Sequence, residues 1–255
     1  MGKRAKNLIL ISSFAAFFIL SYFTLFFGFG YQFDFREFKL VKTGSVLIKT
    51  NTDASVHIND RFEGNTSFIG NTFTQKNLLP GRYNIVVEKE KFPPLEKNID
   101  VKSGEVVQLV HLYLINSEEL DKFMETLEPE APDENKTNDG FPYFINKKDS
   151  LLYKNLGGDE VEKISSGPVI DFILSPDKKK LAIISTNEIT VLWLSGESGS
   201  PYFPENHKEL VLRISQKIDK TYWFKSSWHL IYLTQNGIRH FVELDPSGGR
   251  NDLII

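Results

Sequence analysis

The sequence has no cysteine among its 255 residues, and this absence excludes several kinds of site. Without thiols the chain forms no disulfide, holds no thiolate-bound metal and has no cysteine nucleophile. It also lacks the cysteine that a lipoprotein signal would need for acylation. The folded part of the chain must therefore be held together by its apolar core.

Charge is absent from a long stretch near the N-terminus. No charged residue lies between Asn7 and Phe33. The residues just before this stretch include Lys3, Arg4 and Lys6. A bilayer core of about 30 Å needs roughly 20 apolar residues in a helix, and this run is long enough. We therefore predict a cytoplasmic basic tail over residues 1–6, a transmembrane signal anchor over 7–31, and an extracytoplasmic remainder.

Two other interpretations of this run are a cleaved signal peptide and a buried helix of a soluble domain. A signal peptide has a shorter apolar region of roughly 7–15 residues, followed by a small-x-small cleavage site. Here Phe29 and Tyr31 alternate with the glycines that end the run, which disfavours cleavage. A helix that is apolar all round is buried only beneath a large partner core. The first predicted partner is therefore the lipid bilayer, through residues 7–31.

Acidic residues are concentrated in one segment, and no basic patch balances them elsewhere. The net charge is −3, and residues 117–140 contain nine acidic and two basic residues. Nucleic-acid binding requires a basic surface, so none is predicted. We predict an acidic, flexible linker over residues 116–141 that begins with a short helix capped by Ser117. The predicted apolar face of this helix comprises Leu120, Phe123, Met124 and Leu127.

Short strands separated by turns are predicted over residues 44–115, after an amphiphilic spacer over 35–43. Residues 45–50 and 54–59 alternate apolar and polar side chains, as strands with one buried face do. Further strands are predicted at residues 82–88, 97–101 and 106–114. Five or six short strands without a helix predict a small antiparallel β-sandwich.

The order of the turns in this segment resembles that of the PEGA domain, a small β-sandwich module of bacterial and archaeal surface proteins. The resemblance rests on residues 44–48 and 52–59, Gly64-Asn65-Thr66, the corner Leu79-Pro80-Gly81-Arg82-Tyr83, and Ser103-Gly104-Glu105. In the corner, Pro80 fixes φ and Gly81 permits a tight turn. The chain departs from the family in three places. Only Ala54 of the name-giving tetrapeptide is in register, Ser67 replaces a proline, and Lys91-Phe92 replaces Gly-Tyr.

Residues 142–255 resemble blades of a β-propeller of the WD40 or TolB-like kind. Ser175-Pro176-Asp177 joins two predicted strands, and a degraded copy of this pattern recurs about fifty residues later. The segment is long enough for two to three blades, whereas a closed propeller needs at least four. Three explanations stay open: a fragment of a longer protein, which we favour, blades completed between chains, and a smaller sandwich.

Residue patterns for catalysis or metal binding are scarce. Ser175 and Lys178 have the Ser-x-x-Lys spacing of acyl-serine enzymes, but those enzymes need the pair on a helix, whereas this pair lies in a predicted turn. Of five scattered histidines, only His229 and His240 lie in adjacent predicted strands. The aromatic-rich region is more typical of core packing than of carbohydrate stacking. It comprises Tyr202, Tyr222, Trp223 and Trp228. We assign no catalytic residue, metal site or cofactor.

The predicted function is that of a membrane-anchored, non-catalytic envelope protein. Its PEGA-like module and propeller-like region are expected to contact cell-wall polymer or another envelope protein, partly by family analogy. Two alternatives stay open: a sensor or regulatory subunit, and the N-terminal part of a propeller enzyme whose active site lies beyond residue 255. The linker composition predicts that the two β regions move independently.

Overall fold

The computed structural model describes residues 3–35, 37–127 and 141–255. Strands make up 45% and helices 14%, and none of the small sheets in the described residues closes into a barrel. The predicted mainly β fold class is therefore confirmed. The chain divides into two compact units, one comprising Met1–Val87 and Lys97–Val110, the other Glu88–Glu96 and His111–Ile255.

The apolar run at the N-terminus forms one long helix, α1 (Lys3–Gly28). The 20 residues of Ile9–Gly28 are strongly apolar, and 0% of this stretch is buried inside the protein. By length and composition α1 is compatible with a single-pass anchor or a signal sequence. The helix ends at Gly28 and Tyr31 lies in a strand, so the predicted boundary at residue 31 is three residues too late.

A hairpin follows α1, where the sequence predicts a spacer. Its strands, β1 (Tyr31–Asp34) and β2 (Lys39–Lys42), pair antiparallel. Gly30 has a φ of +81°, and this left-handed conformation turns the chain from the helix into β1. The backbone N–H and the hydroxyl of Thr43 both donate to the Gly30 carbonyl, at 2.7 Å each. These two bonds join the end of the hairpin to the end of the helix.

The predicted sandwich is built from seven strands, all within described residues. They are β3 (Gly44–Lys49), β4 (Ser55–Ile58), β5 (Arg61–Asn65), β6 (Thr72–Leu78), β7 (Gly81–Glu88), β8 (Leu95–Val101) and β9 (Val106–Leu109). They form two sheets, with the orders β6-β3-β9 and β5-β4-β7-β8. Strand β3 pairs antiparallel with β6 and parallel with β9. Alternate residues such as Val46, Ile48, Val56 and Ile58 are buried, as the period-two pattern predicts.

Strands β5 and β6 are the two that the sequence pattern does not predict. Both lie at an edge of their sheet. No residue of β5 is buried, and in β6 only Leu78 is. A strand without a buried face is held by backbone hydrogen bonds, so its sequence does not alternate.

In its described residues the second unit contains one helix, α2 (Ser117–Thr126), and eleven strands. The strands are β10 (Tyr143–Ile145), β11 (Leu152–Gly157), β12 (Glu160–Lys163), β13 (Asp171–Leu174), β14 (Lys180–Ile184), β15 (Glu188–Trp193), β16 (Lys208–Arg213), β17 (Ile218–Trp223), β18 (His229–Thr234), β19 (Arg239–Glu243) and β20 (Asp252–Ile254). Three antiparallel sheets result, each in chain order: β10-β11-β12, β13-β14-β15-β16 and β17-β18-β19-β20.

Neighbouring sheets in this unit pack against each other through shared cores, the first with the second and the second with the third. On β14, Leu181 and Ile183 pack with residues of the three-stranded sheet such as Leu152. The alternate residues, Ala182 and Ile184, pack with residues of the last sheet. Strand β14 is therefore buried on both faces, which explains its continuous apolar sequence.

Helix α2 covers the outer face of the last sheet. Leu120 is fully buried, and Phe123 and Met124 pack beside it on the sheet, as the predicted apolar face requires. The cap is Asn116, whose Oδ1 accepts a hydrogen bond from the Glu119 N–H at 2.8 Å, so the prediction of Ser117 is wrong. Ser117 instead lies in the first turn. The helical part of the predicted linker thus belongs to the second unit, and residues 128–140 lie outside the described residues.

Replacing Gly44 by alanine is expected to destabilise the sandwich formed by β3–β9. A Cβ at Gly44 would lie 2.4 Å from Val101 Cγ1 and 2.8 Å from the Lys102 carbonyl oxygen. Overpacking of this kind costs about 1–3 kcal/mol. Hydrogen exchange followed by mass spectrometry on the full chain in detergent should show faster exchange in β3 and β9.

Gly81→Ala is the matched control for this substitution. A Cβ at Gly81 meets no described atom within 4 Å, and its φ is not in the left-handed region. Gly81 is the first residue of β7, so the corner does not use a left-handed glycine, and exchange should change little. Equal effects of the two substitutions would contradict the packing argument.

Candidate functional site

A fully buried lysine lies at the start of β14. The Nζ of Lys180 donates to Asp177 Oδ2 at 3.0 Å and to Glu197 Oε1 at 2.9 Å. The same nitrogen lies 4.7 Å from the centre of the Trp228 ring. A buried charge is costly unless it is paired, and here two carboxylates and an aromatic ring compensate it.

The Ser-Pro-Asp turn positions the carboxylate that binds Lys180. Ser175 Oγ donates to Asp177 Oδ1 at 2.5 Å and accepts from the Lys180 N–H at 2.9 Å. Burial raises the pKa of the Asp177 carboxyl, but hydrogen bonds from Ser175, the Lys179 N–H and Lys180 outweigh it, so the pKa lies below its usual value. The carboxylate therefore stays charged beside the ammonium group at neutral pH.

Ser175 and Lys178 lie in a turn between strands, as predicted. The Lys178 N–H donates to the Ser175 carbonyl at 2.8 Å, and Lys178 has a φ of +60° at the tip. The Ser175 hydroxyl is engaged with Asp177 and the backbone. The arrangement is therefore that of a structural turn and differs from the helix-borne Ser-x-x-Lys pair of acyl-serine enzymes.

The same backbone turn recurs 49 residues later, between β17 and β18. Ser227 has a φ of +55°, where Lys178 has +60°. The Ser175 N–H donates to the Lys180 carbonyl, and the Phe224 N–H donates to the His229 carbonyl, both at 2.9 Å. The recurrence predicted from the sequence is thus present in the backbone.

The side chains of the second turn have a different chemistry. Ser226 and His229 occupy the positions of Asp177 and Lys180, and Ser226 Oγ lies 2.8 Å from His229 Nδ1. The two turns also contact each other, because Ser227 Oγ accepts from the Asp177 N–H at 3.2 Å. The repeat therefore preserves a backbone geometry and a local polar pair, without preserving the charges.

The structure does not bring His229 and His240 together. His229 lies opposite Glu243, whereas His240 lies opposite Tyr232. The described residues contain no group of three or more histidine or acidic side chains that could hold a metal ion. The other histidines contact aromatic rings: His57 that of Phe62, His111 that of Trp228, and His207 that of Trp193.

The aromatic-rich region is mostly part of the core, as predicted. Trp223 is 7% exposed, and its Nε1 donates to the Ile173 carbonyl at 2.9 Å. Trp228 is half-buried and stacks on His111 at 3.6 Å, so one of its faces is filled by the protein. Tyr202 is the exception, with 69% of its surface exposed. These rings do not form an open platform for a sugar.

Two hydrogen-bonded contacts lie within the sandwich, at residues on which the PEGA resemblance rests. Tyr83 Oη donates to the Leu79 carbonyl at 2.8 Å across the Pro80 corner. Ala54 and Thr66 form a double link, in which each backbone N–H donates to the other residue at 2.9 Å. These bonds give a physical role to the corner and to the threonine of the Gly64-Asn65-Thr66 segment.

An ordered loop between β5 and β6 exposes two apolar side chains. Phe68 is 97% exposed and Ile69 is 86% exposed. Ser67 Oγ donates to the Ile69 carbonyl at 2.7 Å and accepts from the Thr72 N–H at 3.2 Å. Adjacent apolar side chains held in water by an ordered loop are typical of a contact surface.

Sequence reasoning missed the buried cluster around Lys180. This residue ends a run of three lysines, which is the composition of a solvated turn. A signal was present in the alternation, because Lys180 is two residues before Ala182 and therefore lies on the same face of β14. Glu197 carried no such signal, since its contact with Lys180 spans 17 residues and a bend in the chain.

Replacing Lys180 by methionine is expected to destabilise the second unit by about 3 kcal/mol, because it leaves two carboxylates facing each other without their cation. The three tryptophans all belong to the second unit, so their fluorescence during urea unfolding reports on that unit.

Lys179→Met is the matched control. Its side chain is 50% exposed and 4.0 Å from Glu197, and its loss should cost less than about 1 kcal/mol. Equal midpoints for the two variants would contradict the buried-pair argument.

Comparison with known protein families identifies one region. Residues 43–114 match the PEGA domain family. The match contains the sandwich, the Tyr83 corner and the Ala54–Thr66 link, and it confirms the resemblance read from the turns. Comparison with curated proteins found no match. The segment 43–114 is thus similar to PEGA domains, which suggests an extracellular or envelope module of the binding type.

Proposed function

We propose that this chain is a single-pass, non-catalytic protein of the cell envelope. Its PEGA module and its C-terminal sheets are held outside the membrane, where they contact cell-wall polymer or another envelope protein. The observation that carries the proposal is the order of parts: an exposed apolar helix, Ile9–Gly28, is followed closely by the PEGA match at 43–114. A module typical of the outside of cells then needs a means of export and retention, and α1 supplies both.

The charge distribution supports an orientation with the N-terminus in the cytoplasm. Lys3, Arg4 and Lys6 precede the apolar stretch, and cytoplasmic flanks are enriched in such residues. With this orientation the sandwich and the second unit lie on the opposite side of the membrane. Because the chain has no cysteine, both units fold without disulfides.

The second unit is proposed to be a partial β-propeller. Its two four-stranded sheets are meanders in chain order and share a core. The turn between the first two strands of each sheet recurs after 49 residues, from Lys178 to Ser227. This spacing is within the blade length of about 40–50 residues. The bond from Trp223 Nε1 to the Ile173 carbonyl joins the first strands of the two sheets, as contact between neighbouring blades requires.

Binding is favoured over catalysis because the polar side chains near the repeated turns are used by the fold. Ser175 binds Asp177, Lys180 is enclosed between two carboxylates, and His229 stacks on Phe241 at 4.8 Å. In the PEGA module, by contrast, Phe68 and Ile69 are presented to solvent. We propose this loop as part of the contact surface.

The orientation is tested with single cysteines, for which the cysteine-free chain is already suited. Gly2→Cys and Tyr202→Cys are made separately in the full chain and treated in intact bacterial cells with a membrane-impermeant maleimide. Tyr202→Cys should be labelled in intact cells, and Gly2→Cys only after lysis. The reverse pattern would contradict the proposed orientation, and loss of the N-terminal cysteine from the mature protein would indicate a cleaved signal peptide.

A charge-reversal variant tests the cause of the orientation. Lys3→Glu, Arg4→Glu and Lys6→Glu together should reduce labelling of Tyr202→Cys in intact cells, because the cytoplasmic flank is no longer basic. The control changes the same number of exposed lysines in the second unit, Lys147, Lys148 and Lys163, to glutamate. The control should leave labelling unchanged.

A further inference from the structure

The hairpin that follows α1 places two large apolar side chains on one of its faces. Phe33 lies directly opposite Leu40 in the register, so these two side chains share a face. Tyr31 and Lys42 lie on the same face, and the other face carries Gln32, Asp34, Lys39 and Val41. Phe33 is 36% exposed and Leu40 is 44% exposed. A two-stranded hairpin is only marginally stable in water by itself, so this face needs a cover.

The loop between the two strands extends the apolar face. Phe35 is 77% exposed and Phe38 is 80% exposed. Their ring centres lie 5.0 Å and 6.2 Å from that of Phe33, so the three rings form one cluster. Phe38 has a φ of +50°, a backbone conformation that costs energy for a bulky residue. The strained backbone and the exposed ring together mark Phe38 as a candidate contact residue.

The hairpin lies close to the end of the apolar helix and is fixed to it. The 20 residues of Ile9–Gly28 span about 30 Å as a helix, the thickness of the hydrocarbon core. Thr43 closes the hairpin on Gly30 through two hydrogen bonds, and the rings of Phe26 and Tyr31 lie 5.2 Å apart. A hairpin fixed in this way has to lie at the headgroup boundary when α1 spans the bilayer.

We propose that the β1–β2 hairpin, together with Phe35 and Phe38 of its loop, forms an interfacial foot, which inserts Phe33, Phe35, Phe38 and Leu40 into the boundary between phospholipid headgroups and acyl chains. The proposal rests on the membrane anchoring proposed above. The occupant of the apolar face is the same bilayer that surrounds α1, because the two surfaces are continuous along the chain. Rings that are apolar and rigid suit this boundary, as they do in interfacial helices.

The foot recognises the apolar boundary of the bilayer and does not require an anionic headgroup. Lys39 is paired with Glu37 on the loop, and Asp34 lies opposite Lys39 in the register. Of the two lysines of β2, Lys39 is therefore partly neutralised within the hairpin, whereas Lys42 lies at the end of the strand next to Thr43. Insertion is expected in vesicles of phosphatidylcholine alone.

The foot also fixes where the sandwich begins. Thr43, which closes the hairpin, accepts a hydrogen bond at its carbonyl from the Gly104 N–H at 3.1 Å. Strand β3 starts at the next residue, Gly44. The bilayer surface is thus connected to the first PEGA strand through a hydrogen-bonded hairpin, without a free spacer.

The test measures the membrane depth of single cysteines in the full chain. Phe35→Cys and Phe38→Cys are labelled with an environment-sensitive fluorophore and reconstituted in phosphatidylcholine vesicles. Quenching is measured in two samples, one with lipids spin-labelled near the headgroup end of the acyl chain for the loop positions, and one with lipids spin-labelled near the methyl end for Leu20, which lies about 12 Å along α1 from Gly28. Leu20→Cys reports on α1, and Phe68→Cys is the matched control, since Phe68 is a 97% exposed phenylalanine of the same unit.

We expect the labels at Phe35 and Phe38 to lie about 5–10 Å into the boundary and to be quenched at least about twofold more strongly than the label at Phe68. Quenching at Leu20 without quenching at Phe35 and Phe38 would overturn the foot and leave the anchor intact. No lipid quenching at Leu20 would overturn the anchor and the foot together. Equal quenching at Phe68 and Phe38 would overturn the assignment to the hairpin, because any exposed phenylalanine would then behave alike.

Discussion

The architecture of the second unit depends on the burial of both faces of its central strands. In β14, Leu181 and Ile183 pack toward one neighbouring sheet, and Ala182 and Ile184 pack toward the other. A strand that is apolar on both faces is unstable at the surface of a single sheet, so it requires a layer on each side. The same need arises for β18, where Ile231 packs on the side covered by α2. A helix therefore takes the place that a further sheet would occupy.

The repeated turn shows which features this packing requires and which it tolerates. Lys178 and Ser227 share a left-handed φ and the same backbone bonds, so the geometry is needed to enter a doubly buried strand. The polar residue that begins the strand differs, since Lys180 is paired with two carboxylates, whereas His229 contacts Ser226 and the ring of Phe241. A charge in this position is thus tolerated because it is paired, and the fold does not require it.

Sequence patterns predicted those features that depend on neighbours along the chain. Apolar length predicted α1, alternation predicted β3 and β4, and a Ser-Pro-Asp turn predicted the entry to β14. They failed where a distant contact decides the outcome. The pairing of Lys180 with Glu197 spans 17 residues, and β5 is an edge strand without a buried face. Local alternatives were also misjudged: Asn116 and Ser117 are both good caps, and only the start of the helix shows which one is used.

The hydrogen bonds at Gly30 join the end of α1 to the hairpin that precedes the sandwich. Its carbonyl accepts both bonds from Thr43, and β3 begins one residue later. At that point the volume a Gly44 side chain would need is filled by Val101 and two carbonyl oxygens, so β3 cannot easily shift. A loose linker in place of the hairpin would let residues 43–114 move freely with respect to α1. The hairpin connection instead fixes the start of this segment to the end of α1, and with the anchoring proposed above it would hold the segment near the bilayer.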